Sequence, residues 1–270
     1  MKKLTTLVLV LMLASMVLSN CSVLEGMLAE KVTVTMYYGS EKEEWLVPLI
    51  EEFNQSRTQT ASGGVIEVEA TPLGSVETSR QILEGVIQPT VWSPASSLVI
   101  PITNAEWRKT HNEDIVTDTD DLVLSPVVIA MWESMAKALG YPDKPLGWSD
   151  IAELATADEG WEAYGYPEWG DFKFGHTHPE FSNSGLVAII AQAYTGANKQ
   201  RDLTVADIQA AMTQRLMADV QKSIIHYGSS TGFFANRLFE KGPSYLSAAV
   251  MYENLVINQE TKRLNGESFQ

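Results

Sequence analysis

The chain has 270 residues, of which 45% are hydrophobic, and it carries a formal net charge of -15. This length is enough for one large domain or for two lobes. The acidic balance argues against nucleic acid and against charge-driven docking on anionic lipid, because both partners are themselves negative. An anionic ligand stays compatible with this charge, since buried backbone dipoles can outweigh distant surface charges.

The first 20 residues are predicted to be a secretory signal peptide. Lys2 and Lys3 precede an apolar run, Leu4 to Val17, that is too short for a comfortable membrane span. The run ends in Leu18-Ser19-Asn20-Cys21, which resembles the bacterial lipobox, and Cys21 is the only cysteine in the chain. A lone cysteine in an exported protein cannot form an internal disulfide, and lipidation explains it without a reactive thiol. We expect a lipid anchor at Cys21 and a tether over residues 21–30, with a plain signal peptide as the alternative.

Three strand–turn–helix units follow the tether. The predicted strands are Lys31–Tyr38, Val65–Ala70 and Thr90–Trp92, and the predicted helices are Glu41–Asn54, Val76–Val86 and Leu98–Trp107. This order indicates a parallel sheet. The turns between strand and helix are rich in Ser and Gly, and they should meet at one edge of that sheet and face one cleft.

The middle of the chain contains an apolar run, Leu122 to Trp132, after the acidic linker Asp118–Asp121. Continuous apolar character is typical of a strand buried on both faces, but Ser125-Pro126 argues against one uniform central strand. A strand that leaves one sheet and enters another would explain both facts. Helices are expected next at Glu133–Leu139 and Ser149–Thr156.

Three tryptophans follow in this region, Trp148, Trp161 and Trp169. We expect them to be packing residues, with a sugar-stacking platform as the weaker alternative.

The stretch from His176 to Leu186 combines a polar turn with a helix start. A strand is predicted over Asp171–Gly175, and a helix begins near Ser182 to Ser184, where Ser and Asn side chains can cap it. A helix N-terminus offers free N–H groups and a positive dipole end to an anion. Taken alone, this motif is better explained as an ordinary capped helix.

His176 and His178 are two residues apart, so on a strand they would share one face. With Glu180 or another carboxylate they are weak candidates for a metal site. The alternative is that His176 packs at the strand end and His178 hydrogen-bonds the turn.

The last part of the chain is predicted to be mostly helical. Helices are expected at Thr204–Leu216, where Thr204 and Asp207 form a capping-box pattern, and at Val220–Tyr227 and Gly232–Phe239. Leu246–Tyr252 is predicted to be a strand that forms the return crossing, and a short helical segment follows it.

The order of these parts resembles the bacterial extracellular solute-binding proteins of ABC-type uptake systems. It is most similar to solute-binding regions that elsewhere precede a von Willebrand factor A domain. The resemblance is carried by Leu18 to Cys21, Tyr37 to Trp45, Trp92 to Ser97, Ser125 to Trp132, His176 to Leu186 and Ala248 to Asn254.

The resemblance implies an α/β, two-lobed, periplasmic-binding-protein-like type II fold with two crossover strands and a ligand cleft between the lobes. Lobe 1 would comprise residues 31–124 and 250–270, and lobe 2 residues 125–249. Compared with such folds, the C-terminal part of the first lobe is expected to be short or truncated. Carried over by position, the ligand-binding residues would be Ser40, Ser75, Ser93, Ser96, Ser125, Ser182, Asn183, Ser184 and Tyr252.

The expected function is capture of a small polar solute, an oxyanion being one option, for the membrane subunits of an ABC importer. The protein would be an extracytoplasmic, lipid-anchored monomer that needs no cofactor and binds no nucleic acid. Enzyme activity is not expected, because the sequence has no Gly-x-Ser-x-Gly, His-Glu-x-x-His or phosphate-loop motif. The alternatives are a cell-surface interaction module without a transported ligand and a metal-binding protein that uses His176 and His178.

Overall fold

The structure, a computed structural model, describes residues 30–265. The predicted signal peptide, Cys21 and most of the tether lie outside the described residues. The chain divides into two units. The described part of the smaller unit comprises residues 30–35 and 47–70, and that of the larger unit comprises residues 36–46 and 71–265. The predicted lobe boundaries stay a prediction.

The first three strands form one sheet with the order β2-β1-β3. The strands are β1 (Lys31–Tyr38), β2 (Val65–Pro72) and β3 (Val91–Ser93), and each is followed by a helix, α1 (Glu43–Ser56), α2 (Ser75–Leu83) and α3 (Val99–Trp107). β1 and β3 run parallel, with Tyr37 opposite Trp92 and Tyr38 opposite Ser93. The three predicted strand–turn–helix units are therefore confirmed.

The other four strands form a mixed sheet with the order β4-β7-β5-β6. They are β4 (Val127–Met131), β5 (Phe174–Thr177), β6 (Ile224–Gly228) and β7 (Ala248–Tyr252). β7 pairs antiparallel with β4 and parallel with β5, and β5 also pairs parallel with β6. The accompanying helices are α4 (Glu133–Ala138), α5 (Trp148–Ala155), α6 (Asn183–Gly196), α7 (Val205–Gln209), α8 (Ala211–Lys222), α9 (Thr231–Lys241) and α10 (Glu253–Leu264).

The core of this second sheet surrounds β5 and β7. All five residues of β7 are buried, and Trp161, Phe174 and Val250 belong to the same apolar cluster. Trp148 and Trp169 pack against that cluster, and Trp161 donates a hydrogen bond from Nε1 to Ser247 Oγ at 3.2 Å. The three tryptophans that were expected to be packing residues are confirmed as such.

The helix predicted over Val220–Tyr227 is wrong. α8 ends at Lys222, and Ile224–Gly228 forms β6, the edge strand next to β5. The sequence Ile-Ile-His-Tyr, considered alone, is compatible with a helix or with a strand. The pairing of Tyr227 with His176 and of Gly228 with Thr177 selects the strand.

Two other element boundaries differ from expectation. β5 begins at Phe174 and continues through Thr177, because His176 and Thr177 pair with β6. The helix predicted over Thr204–Leu216 is two helices, since Ala210 has an extended backbone conformation and serves as the N-cap of α8. The predicted capping box of Thr204 and Asp207 is confirmed at the start of α7.

Only part of the apolar run Leu122–Trp132 forms a strand. β4 starts after Pro126, whereas Leu122, Val123 and Leu124 are coil and largely exposed. Proline has no N–H to donate, and among the described residues none pairs as a strand with 122–124. The expectation of a doubly buried strand is therefore wrong for these three residues.

Gly185, in the first turn of α6, allows this helix to approach the end of β5. A methyl group at this position would lie 2.0 Å from the Thr177 carbonyl oxygen. In an open helix, Gly→Ala stabilises by roughly 0.5–1 kcal/mol. We expect Gly185→Ala to lower the free energy of unfolding by about 1–3 kcal/mol instead, because the backbone of β5 must move. Urea denaturation measures the change, and a gain in stability would contradict this packing.

Candidate functional site

The larger unit contains a cavity of about 1380 Å³, and all residues that line it belong to this unit. Its wall is formed by the segment after β1, the turn from β3 to α3, residues 115–125, the start of α6 and the segment from the end of β7 into α10. The carboxyl ends of β1, β3 and β7 thus contribute to one cavity. Ligands of open α/β sheets bind at strand ends of this kind.

Five of the nine predicted ligand-binding residues line this cavity: Ser93, Ser96, Ser125, Asn183 and Tyr252. The other four, Ser40, Ser75, Ser182 and Ser184, are buried, and their hydroxyl groups are hydrogen-bonded within the protein. A direct ligand contact for any of the nine stays a prediction.

Asn183 and Tyr252 form a buried polar pair in the cavity wall. Asn183 is the first residue of α6, and its Nδ2 donates to the Tyr252 hydroxyl at 2.7 Å. The Asn183 side chain is 2% exposed, and its Oδ1 has no hydrogen-bond partner within the described residues. Burial and the Glu41 carboxylate raise the pKa of Tyr252, so its hydroxyl stays neutral at physiological pH. A buried polar atom without a partner is costly, and a ligand in the cavity could supply one.

The start of α6 is not capped by a side chain. Ser182 is the N-cap residue, as predicted, but its Oγ lies 3.1 Å from Thr231 Oγ1 and makes no capping bond. The predicted side-chain cap at Ser182 is therefore wrong, because the Ser182 hydroxyl interacts with the Thr231 hydroxyl of α9 instead. The backbone N–H groups of Asn183, Ser184 and Gly185 have no acceptor within the described residues. Of these three residues only Asn183 lines the cavity, so its N–H and the positive end of the helix dipole are the donor features at this wall.

Hydroxyl groups connect the starts of α6 and α9 with the turn after β1. Thr231 Oγ1 lies 2.7 Å from Ser184 Oγ, which lies 2.7 Å from Thr177 Oγ1. Ser40 Oγ lies 2.7 Å from Ser230 Oγ and accepts the N–H of Gly232 at 2.9 Å. This network holds the turns in place.

Ser75 has a similar positioning contact, because its Oγ accepts the N–H of Ala95 at 2.9 Å. Ser125 Oγ donates to Asn254 Oδ1 at 3.0 Å and accepts the Asn254 N–H at 3.1 Å. Ser125 thereby ties the segment before β4 to the segment after β7.

A buried ion pair also lines the cavity. Lys42 Nζ lies 2.9 Å from Glu41 Oε1 and donates to the Pro94 carbonyl at 3.1 Å. Both side chains are less than 10% exposed, so the pair adds almost no net charge to the wall. Asn254 Nδ2 donates to the Glu41 carbonyl oxygen and links this pair to the end of β7.

The sequence reasoning missed this ion pair and three lining tryptophans, Trp45, Trp92 and Trp107. Trp92 stands in β3, one residue before Ser93, so the strand-end rule could have found it. Glu41 and Lys42 directly follow Ser40 in the turn after β1, so the same rule could have found them. Trp45 and Trp107 lie on helices, and no pattern in the sequence around them predicts that they line a cavity.

Three carboxylates line the cavity on the coil segment 115–125: Asp118, Asp120 and Asp121. All three residues are exposed, and none takes part in an ion pair within the described residues. Solvent and salt screen their charges, and none of the three accepts a hydrogen bond from residues 30–265.

His176 and His178 lie beside the Tyr227 ring, with ring centroids 5.2 Å and 5.5 Å away. His176 is fully buried, its Nδ1 lies 2.7 Å from the Thr177 carbonyl, and its Nε2 has no partner within the described residues. In residues 30–265 no group of three His, Cys, Asp or Glu side chains is placed to hold a metal ion. His178 Nδ1 accepts the Glu180 N–H at 3.3 Å, the turn contact that was the alternative to a metal site.

The buried His176 should make stability depend on pH. Burial lowers the pKa of His176 below its usual value of 6.5, so the unfolded chain binds a proton that the folded chain does not. The free energy of unfolding should then fall as the pH drops below 6.5, and His176→Gln should reduce this slope. Denaturation at several pH values between 8 and 5 measures both slopes. Equal slopes in the two proteins would contradict the assignment.

Comparison with known proteins gives the fold and the family. The solved structure of the sulfate-binding protein SubI from Mycobacterium tuberculosis H37Rv superposes with a TM-score of 0.50 at 15% identity, over 86% of this chain and 68% of that one. The predicted α/β fold class is confirmed, and the two sheets are consistent with a two-lobed arrangement. No curated protein matches the chain.

None of the helices within residues 30–265 is both long and apolar enough to span a membrane. The family model of the bacterial extracellular solute-binding proteins matches residues 34–267. Since this match covers most of the sequence, the chain belongs to the bacterial extracellular solute-binding proteins.

Proposed function

We propose that this protein captures a small polar solute in the cavity at the start of α6 and delivers it to the membrane subunits of an ABC importer. Family membership supports solute capture for transport and an extracytoplasmic location. The observation that carries the proposal is the Asn183 side chain, which is buried, belongs to a residue that lines the cavity and has an amide oxygen without a partner in the described chain. A bound solute would complete its hydrogen bonding.

The groups around the cavity suit binding rather than catalysis. The Asn183 N–H can donate, and the Asn183 Oδ1 can accept. The described lining residues include no histidine and no cysteine, which are the most common general base and the most reactive nucleophile of enzymes. A cavity of this composition can hold and orient a solute, and we propose that it does so without chemistry.

Capture is proposed to close the cavity around the solute. The segments that flank β4 and β7 are joined by the two hydrogen bonds between Ser125 and Asn254, so they can move as one unit. Hinges near Ser125 and Tyr252 would let the polar turns converge on a ligand, which would shift the equilibrium toward the closed state.

An oxyanion, one of the expected ligands, fits part of this geometry. The Asn183 N–H and the helix dipole favour negative charge, and the buried pair of Glu41 and Lys42 cancels its own charge. SubI, which shares the fold, is a sulfate-binding protein. Sulfate and molybdate are therefore the first anions to test.

The binding proposal predicts a specific effect of Asn183→Ala. The substitution removes one hydrogen-bonding side chain from the cavity, which should weaken binding about tenfold. Asn236→Ala on the exposed side of α9 is the matched control and should bind normally.

Isothermal titration with a panel of oxyanions, neutral sugars, amino acids and divalent metals gives the affinities. A ligand at a hundred times its dissociation constant stabilises by about 2.7 kcal/mol, so thermal shifts identify the active class first. A well-folded protein that responds to no member of the panel would contradict solute capture and favour a surface interaction module.

Lipid anchoring at Cys21 is the second part of the proposal. An acylated cysteine would hold the binding domain at the cell membrane beside the importer, since firm anchoring takes more than one acyl chain. We expect the expressed protein to partition into the detergent phase and Cys21→Ser to move it to the aqueous phase. Mass spectrometry of the mature N-terminus should show a diacylglycerol-modified Cys21. An unmodified N-terminus at another residue would indicate a plain signal peptide.

A further inference from the structure

The cavity is larger than an inorganic oxyanion requires. Its volume is about 1380 Å³, whereas pockets of roughly 300–1000 Å³ hold drug-sized organic ligands. In this conformation, a tetrahedral oxyanion at the start of α6 would leave most of the wall without contact. The cavity therefore has room for an organic solute with several functional groups.

The seven tryptophans of the chain divide into two groups. Trp132, Trp148, Trp161 and Trp169 pack in or against the core of the second sheet. Trp45, Trp92 and Trp107 line the cavity instead, are only half-buried, and their indole N–H groups have no acceptor in the described part of the chain. Aromatic faces offer apolar contact to the C–H groups of a ring, and the indole N–H adds a donor.

The wall also presents acceptors to which a ligand can donate. The Asn183 Oδ1 is buried without a partner, and the carboxylates of Asp118, Asp120 and Asp121 have no ion pair within the described residues. A fully ionised oxyanion has no hydrogen to donate, and the three carboxylates repel it. Hydroxyl groups of a solute can donate to these acceptors.

Two opposing features of the cavity wall indicate that the ligand carries no net charge. The free N–H groups and the dipole at the start of α6 disfavour a cation, and the carboxylates on 115–125 disfavour an anion. A neutral solute that both donates and accepts hydrogen bonds avoids both penalties. A ring with several hydroxyl groups has this property, and its C–H faces also suit the three tryptophans.

We infer that the cavity binds a neutral, ring-shaped polyhydroxylated solute, that is, a carbohydrate. This inference rests on the proposed capture function and specifies its ligand class. Hydroxyl oxygens would accept from the Asn183 N–H, hydroxyl hydrogens would reach Asn183 Oδ1 and the aspartates, and a ring face would stack on Trp92.

To test this inference, the full mature protein is titrated with each probe, and binding is measured by tryptophan fluorescence and by calorimetry. The neutral probes are glucose, galactose, mannose, ribose, maltose and lactose; sulfate and molybdate are the anionic probes, and choline is the cationic probe. We expect at least one sugar to bind and to change the fluorescence. Trp92→Leu should weaken that binding about tenfold or more, and Trp92→Phe should retain most of it because a stacking face remains.

The outcomes separate this inference from the proposed function. Binding of sulfate, molybdate or choline without any sugar response overturns the carbohydrate assignment and leaves solute capture intact. Sugar binding that is equal in Trp92→Leu and Trp92→Phe overturns the stacking role of Trp92. A folded protein that binds none of these probes, nor any member of the wider panel, overturns both the ligand class and solute capture.

Discussion

The N-terminus of α6 is the constraint on which the site depends. A helix start leaves several N–H groups without intrahelical partners, and a buried start must find acceptors for them. Ser182 is in the position to cap this helix, yet its hydroxyl interacts with Thr231. The first turn is therefore buried with its donors open, next to an Asn183 amide that is only half satisfied. Such an arrangement is unfavourable for the empty protein and favourable for one that holds a solute.

The second sheet fixes this helix start in position. β5 and β7 are adjacent and buried, so the carboxyl end of β7 brings Tyr252 to Asn183. Gly185 lets the first turn of α6 approach the backbone at Thr177. The hydroxyl chain from Thr177 through Ser184 to Thr231 then joins α6 to α9. Each of these contacts is buried, and together they hold the start of α6 against β5, β7 and α9.

Charge is distributed differently in the cavity wall than over the whole chain. The formal net charge of the sequence is -15, and this charge favours solubility and disfavours anionic partners at long range. Within the wall, the buried pair of Glu41 and Lys42 is neutral, and the helix dipole is positive toward the ligand. The negative charge of the wall comes from the exposed carboxylates of residues 115–125. Local dipoles and hydrogen-bonding groups therefore decide the ligand class more than the net charge does.

Elements with local signals could be predicted from the amino-acid sequence alone. Alternating residues predicted β1, apolar periodicity predicted the helices of the three strand–turn–helix units, and the Ser182-Asn183-Ser184 cluster marked the start of α6. Tertiary structure decided what depends on distant partners. β6 became a strand because β5 lies beside it, and Ser182 lost its capping role to a hydroxyl 49 residues away. Trp92 faces the cavity while Trp161 is buried, although both are large aromatic residues, because burial follows from which surfaces the fold brings together.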